Sequence, residues 1–205
     1  MNEVFKEKGY CLVKSAISPE LRDFVTQYAL FDEMQAETYG DNQVPNAHFK
    51  YADAAMETML LHLQDTVEKN TGLSLYPTYS YYRVYRNGDD LKMHRDRPSC
   101  EISCTLCFNY SYNDKKLQWP IFMNGQDIVL NPGDLVIYKG CDLDHWREKL
   151  EYDEDVWQVQ GFFHYVNANG PYTDYKFDGR PSLGVDNKKQ KNSQNIKNYI
   201  EYTGD

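Results

Sequence analysis

Residues 85–96 read YRNGDDLKMHRD, and residues 131–145 read NPGDLVIYKGCDLDH. The first stretch ends a strand in an Asn87-Gly88 turn and returns as extended chain to His94, Arg95 and Asp96. His94 and Asp96 are spaced i, i+2, so on a β-strand they point to one face. The second stretch opens with a turn, in which Pro132 presets φ and Gly133 is free to take positive φ. The strand LVIYKG (135–140) follows, and then His145. Delivered from a neighbouring strand, His145 completes a face of two imidazoles and one carboxylate. That donor set leaves open positions on one side of a metal and suits non-haem Fe(II). A His-x-Asp triplet alone arises often by chance, so its weight depends on the chain around it.

Outward from this block, the pattern is one of strands. YSYYRVYRNG (79–88) is aromatic and β-branched, and ISCTLCFNY (102–110) reads the same way. QWPIF (118–122) and QDIVL (126–130) flank Asn124-Gly125, and VWQVQGFFHYV (156–166) is the last clear strand. Toward the N-terminus, GYCLVKSA (9–16) is a short strand. Ser18 as N-cap and Pro19 in the first turn start a helix to Met34, with Leu21, Phe24, Val25 and Tyr28 on one face. The polar stretch 36–48 reads as a loop. A second helix covers residues 52–71, with Met56, Met59, Leu60, Leu63 and Val67 at helical spacing and Gly72 as its stop. Helices first and then many short strands predict helices packed outside a β-sandwich or barrel. Residues 186–198 read as a polar tail, with a short helix near Tyr199.

The whole chain is consistent with one domain. It has 205 residues, of which 41% are hydrophobic and 15% aromatic, enough for a sizeable core rather than a disordered chain. A formal net charge of -9 argues against broad binding to a nucleic-acid backbone. No apolar run approaches roughly 20 residues, so no transmembrane helix is expected. The N-terminal residues are too polar for a secretory signal. Five cysteines without an export signal predict reduced thiols and a cytoplasmic setting.

With these elements in order, the chain resembles the Fe(II)/2-oxoglutarate-dependent dioxygenases, especially their prolyl-hydroxylase-like branch. YRNGDDLKMHRD is similar to that family's tyrosine, turn and His-x-Asp block. PGDLVIYKG, a short loop and His145 are similar to the strand leading to its second histidine, and 156–166 to the strand after it. The resemblance covers roughly residues 75–170 and implies a mainly β fold with N-terminal helices around a double-stranded β-helix, a jelly-roll of the cupin kind. The domain would run over 1–185, with helical support at about 1–74, the core at about 75–170 and the tail at 186–205. It also implies that His94, Asp96 and His145 hold Fe(II) and that 2-oxoglutarate and O₂ are co-substrates, with ascorbate a candidate reductant. The reaction implied is hydroxylation of an unactivated C–H bond of an amino acid or peptidyl residue, with release of succinate and CO₂.

The far carboxylate of 2-oxoglutarate needs a cation, for which an arginine fork is best suited. In the prolyl-hydroxylase branch a basic residue lies about ten positions after the second histidine. Here Asp155 stands at that position, and a longer loop brings uncharged Gln158 there instead. Arg147, two past His145, and Arg83, two before Tyr85, are the alternatives. Strand parity puts Arg147 on the metal face and Arg83 beside Tyr85, whose position in the family often reaches the co-substrate. Whichever arginine is not used is available to a carboxylate on the primary substrate. Ser103, Thr105 and Cys107 alternate along 102–110, facing either the pocket or a packed core.

Other readings compete. Cys100, Cys104 and Cys107 spell C-x3-C-x2-C, the spacing of radical-SAM iron–sulfur enzymes. A strand would turn Cys104 away from Cys107, and the chain lacks a run of βα units. A non-catalytic β-sandwich binding module would have no need of all three metal donors. A zinc hydrolase would need a general base, for which only Asp142 and Asp144 offer themselves. His164 reads as a core or edge histidine, or a fourth ligand. Trp146 and Trp157 read as a substrate wall or as core, and Arg97 with Glu101 as an ion pair.

Overall fold

In the computed structural model, residues 2–37, 40–112, 118–152 and 155–185 are described. The expected tail at 186–205 and its helix near Tyr199 lie outside them. Short helix α1 (Glu3–Lys8) precedes β1 (Tyr10–Val13), and α2 (Pro19–Met34) precedes β2 (His48–Tyr51) and α3 (Ala54–Thr71). Strands follow: β3 (Leu75–Arg86), β4 (Leu91–His94), β5 (Ile102–Tyr110), β6 (Ile121–Met123) and β7 (Gln126–Ile128). The last are β8 (Leu135–Lys139), β9 (His145–Arg147) and β10 (Trp157–Asn167). They form two antiparallel sheets, one ordered β1-β8-β5-β10-β3-β2 and the other β4-β9-β6-β7.

Local chemistry explains the helix ends. Ser18 Oγ accepts from the Leu21 amide at 3.3 Å, and Pro19 needs no amide partner in the first turn. The α3 cap is Asp53, whose Oδ1 accepts from Ala55 and Met56, so the helix starts later than residue 52. Gly72 ends α3 at φ 73°, a conformation that would strain a residue with a Cβ. Two elements were not foreseen. Asn2 caps α1 and Gly9 closes it, and β2 arises at the end of the expected loop by pairing His48–Tyr51 with β3.

The period-two rule assigns two roles to the larger sheet. Ile102, Cys104, Leu106 and Phe108 of β5, with Val159, Phe163 and Tyr165 of β10, join one core with Met56, Met59, Leu60, Leu63 and Val67 of α3. That α3 face is the one its spacing predicts. On α2, however, Phe24 is 67% exposed, while Val25, Thr26 and Ala29 are buried. The apolar stripe is rotated, and Leu21 and Tyr28 pack only at its margin. The opposite face of the sheet carries Cys107, Val136 and Tyr138, which pack with Ile121, Met123 and Ile128 of the smaller sheet. The space between the sheets therefore receives the alternate residues of every long strand. Arg180, paired with Glu57 at 2.5 Å, ties the chain after β10 back to α3.

Candidate metal centre and its cavity

The smaller sheet brings the quoted block together. His94 ends β4 opposite His145, which starts β9, and their ring centroids are 4.2 Å apart. His94 Nδ1 meets the Lys92 carbonyl at 2.8 Å, and His145 Nδ1 meets the Leu143 carbonyl at 3.0 Å. A carbonyl can only accept, so each Nδ1 carries the proton and each Nε2 keeps a lone pair. Those two Nε2 atoms lie 3.7 and 3.5 Å from Asp96 Oδ1. Ligand atoms of all three residues fall within 4.8 Å of one another. Asp96 Oδ2 faces away from them and accepts from Ser103 Oγ at 2.7 Å. Gly140 lies against the same carboxylate, where a Cβ would come within 2.4 Å of Oδ2.

Electrostatics keep this donor set ready. Burial disfavours the Asp96 anion, but the surrounding imidazoles and the Ser103 hydroxyl outweigh it and hold the carboxyl at about 2. Burial and the neighbouring His145 lower His94. Burial also works against charge on His145, but Asp96 outweighs it and raises that imidazole. Asp96 is thus ionised at neutral pH.

A cavity of about 350 Å³ opens over the three residues, a size that suits a small ligand. Its wall includes Tyr79, Tyr81 and Arg83 of β3, Phe162 and His164 of β10, and Tyr138 of β8. Arg97 and Cys100 also reach it. Tyr79, Tyr81 and Phe162 went unrecognised in the sequence, although strand parity places them with Arg83 and His164.

The two arginines proposed for a carboxylate differ in their partners. Arg83 pairs with Asp41 and touches the Tyr85 hydroxyl at 3.4 Å. Burial lowers its basicity, but Tyr85, Tyr81 and Asp41 outweigh that and raise it. Arg147 is 2% exposed, lies behind the cavity wall and has no carboxylate partner among the described residues. It donates to the Trp119 carbonyl at 2.7 Å and to Gln160 Oε1 at 3.3 Å, and its guanidinium lies 4.5 Å from the Trp119 ring centroid. Its Nε and the neighbouring Gln160 Nε2, like Arg83 Nε, are buried donors without acceptors among the described residues. Burial lowers the Arg147 pKa. Gln158 bridges Tyr112 and Gln160, and Tyr85 packs edge-on against Trp119. Arg147, Gln158 and Tyr85 thus share one buried polar cluster beside the cavity, and Arg83 stands on the cavity wall.

The competing motifs separate in space. Cys104 packs in the helix-side core and Cys107 in the inter-sheet core, so a common cluster is excluded by strand parity. Asp144 is engaged by exposed Arg95 at 2.7 Å. Trp146 stacks on Phe122, and Trp157 packs against the helix-side core; neither lines the cavity. Arg97 pairs with Asp178 at 2.8 Å, while Glu101 accepts from the Asn167 amide, so the expected Arg97–Glu101 pair does not form.

Solved structures share this architecture. A prolyl-4-hydroxylase of Pseudomonas putida is 15% identical with a TM-score of 0.61, over 79% of this chain and 95% of that one. The fold is that of the 2-oxoglutarate-dependent oxygenases. The non-haem α-ketoglutarate-dependent epimerase SnoN of nogalamycin biosynthesis is 12% identical, with a TM-score of 0.66 over 90% of this chain and 89% of that one. HygX of Streptomyces hygroscopicus, solved with nickel and 2-oxoglutarate bound, is 9% identical, with a TM-score of 0.58 over 79% and 85% of the two chains. No protein-family model and no curated protein matches the sequence. The double-stranded β-helix expected from the quoted block is therefore the observed fold, with this oxygenase fold's two sheets enclosing the three converging donors.

Proposed function

We propose that this chain is an Fe(II)- and 2-oxoglutarate-dependent oxygenase. The carrying observation is that both Nε2 atoms, each left with a lone pair, and Oδ1 of ionised Asp96 converge within 4.8 Å of one another. Two imidazoles and a carboxylate on one side suit Fe(II) with open positions. His94, Asp96 and His145 would hold the metal. When bound, metal and 2-oxoglutarate supply the oxidising chemistry, converting O₂ and 2-oxoglutarate to succinate and CO₂ as the substrate is oxidised. The protein's part is to position and to shield. Arg147 and Gln160 offer buried donors to the far carboxylate of 2-oxoglutarate, and Arg147, unlike Arg83, has no carboxylate partner of its own among the described residues. Gln158 orders Gln160, and Tyr85 keeps the Trp119 ring against Arg147.

The reaction we infer is hydroxylation of a C–H bond in an amino acid or peptidyl residue. Fold likeness to a prolyl-4-hydroxylase supports it, as does a cavity wall that combines aromatic rings with Arg83. Arg83, already neutralised by Asp41, is assigned to the primary substrate rather than to 2-oxoglutarate. Five cysteines without a disulfide fit the cytoplasm, and no helix among the described residues is long and apolar enough to cross a membrane.

The test is succinate formation by anaerobically purified protein given Fe(II) and 2-oxoglutarate and then O₂. Slow uncoupled turnover is expected from the wild type. His94→Ala, Asp96→Ala and His145→Ala should each abolish it while circular dichroism stays unchanged. Turnover preserved in all three variants would show that the donors are misassigned.

A further inference from the structure

His164 lies opposite Ser103 across β10 and β5, one step from the proposed metal ligands. Ser103 Oγ has three neighbours: Asp96 Oδ2 at 2.7 Å, the Cys100 carbonyl at 3.1 Å and His164 Nδ1 at 3.0 Å. A serine hydroxyl has one proton to give. The carboxylate and the carbonyl can only accept, and the anion at the shorter distance takes the proton. The contact with His164 is then filled only if Nδ1 is the donor. His164 is consequently the Nδ1–H tautomer. Its Nε2 keeps a lone pair, makes no hydrogen bond among the described residues, and belongs to a side chain that lines the cavity. The ring is held in place by Tyr79, with centroids 4.5 Å apart. Gly140 shuts the remaining side, since a Cβ there would lie 2.3 Å from the Cys100 carbonyl and 2.6 Å from Ser103 Oγ.

We propose that Ser103 and His164 are positioning residues for Asp96, joined in a one-way chain of hydrogen bonds from His164 to Ser103 to Asp96. The chain holds Oδ2 so that Oδ1 alone is offered beside His94 and His145. It also leaves His164 Nε2 as an acceptor on the cavity wall, suited to an N–H or O–H group of the primary substrate. This rests on the metal assignment above. It gives His164 a part that neither a fourth ligand nor a satisfied core histidine would have.

The experiment titrates Co(II) into wild-type protein and into the Ser103→Ala, His164→Phe and His164→Asn variants, with folding monitored by circular dichroism. The Asn amide can stand in for the Nδ1–H donor, whereas Phe keeps the ring and removes the donor. Loss of an outer-shell partner costs roughly 10- to 100-fold in metal affinity. We expect a loss of that order, with an altered Co(II) visible spectrum, in Ser103→Ala and His164→Phe, and recovery in His164→Asn. If Ser103→Ala fails to fold, the Phe and Asn pair decides alone. Nitrogen-15 NMR of histidine-labelled, Zn(II)-loaded wild type should show His164 protonated at Nδ1 only. Unchanged Co(II) affinity and spectrum in Ser103→Ala and His164→Phe, or a proton on Nε2, would overturn the proposal while leaving the metal assignment standing. Absence of Co(II) binding by the wild type would remove both.

Discussion

Arg147 and Arg83 carry the same charge on facing strands, and their partners separate them. Asp41 neutralises Arg83, whereas Arg147 sits behind the cavity wall with a carbonyl, an amide and an indole face for company. An uncompensated buried charge weakens the apo fold. Replacing Arg147 with Met should therefore stabilise the apo protein, on the order of 1 kcal/mol, read as a higher melting temperature. The same change should weaken 2-oxoglutarate binding at least about tenfold by calorimetry on Zn(II)-loaded protein, since charged hydrogen bonds contribute about 1.5–3 kcal/mol. A lower melting temperature together with undiminished 2-oxoglutarate affinity would assign Arg147 to structure instead. Parity along β9 made Arg147 readable from the sequence, because His145 fixes which face is inward. Gly140 was not readable: its constraint comes from three chain segments meeting at one point, and no spacing encodes that meeting.

At the level of elements, α3 was legible and α2 only partly so. Five apolar residues of α3 at helical spacing all face the larger sheet, because the helix crosses a continuous apolar surface. Leu60 is fully buried there. Leu60→Ala should cost about 2–5 kcal/mol in urea denaturation, through lost burial and the cavity left behind. A cost below about 1 kcal/mol would mean that the core collapses around the gap. On α2 the apolar residues spread around more of the helix, and Phe24, Phe31 and Met34 remain exposed. Periodicity could not choose the buried stripe when several were available. Strand β2 escaped notice for a different reason: four residues are too few for a period, and the strand exists because β3 offers it an edge.

Across the whole molecule, several acidic side chains tie loops to the sheets. Burial raises Asp41, but Tyr81, the Val44 amide and Arg83 outweigh it and leave the carboxyl lowered. Burial likewise opposes ionisation of Asp178, and Arg97 and Tyr51 outweigh it. Each carboxyl thus holds its proton less tightly in the folded chain than in the unfolded one. Their stabilisation is full above the unfolded value of about 4 and is lost as pH falls through the lower folded value. Melting temperature should drop from pH 7 to pH 3, and less steeply in Asp41→Asn and Asp178→Asn. Equal slopes in wild type and variants would place the acid sensitivity elsewhere. At this scale the sequence was informative because helices precede strands and the turn residues punctuate them. The cation we propose for the co-substrate was harder to place, since Arg147 stands on β9 whereas Gln158 occupies the corresponding stretch of β10.

Strand β10 contributes Gln158, Gln160, Phe162 and His164 to the inter-sheet side and Val159, Phe163 and Tyr165 to the helix-side core. Its register with β3 shifts only after His164, and its shift against β5 between Val159 and Gln160 is taken up by Phe108, an extra residue on β5. The strand therefore behaves like a ruler marked in pairs. Single replacements change one mark, but one residue inserted between 158 and 164 would exchange apolar core for polar lining along part of its length. Variation in the inter-sheet lining is thus open to β10 by substitution and closed to it by change of length.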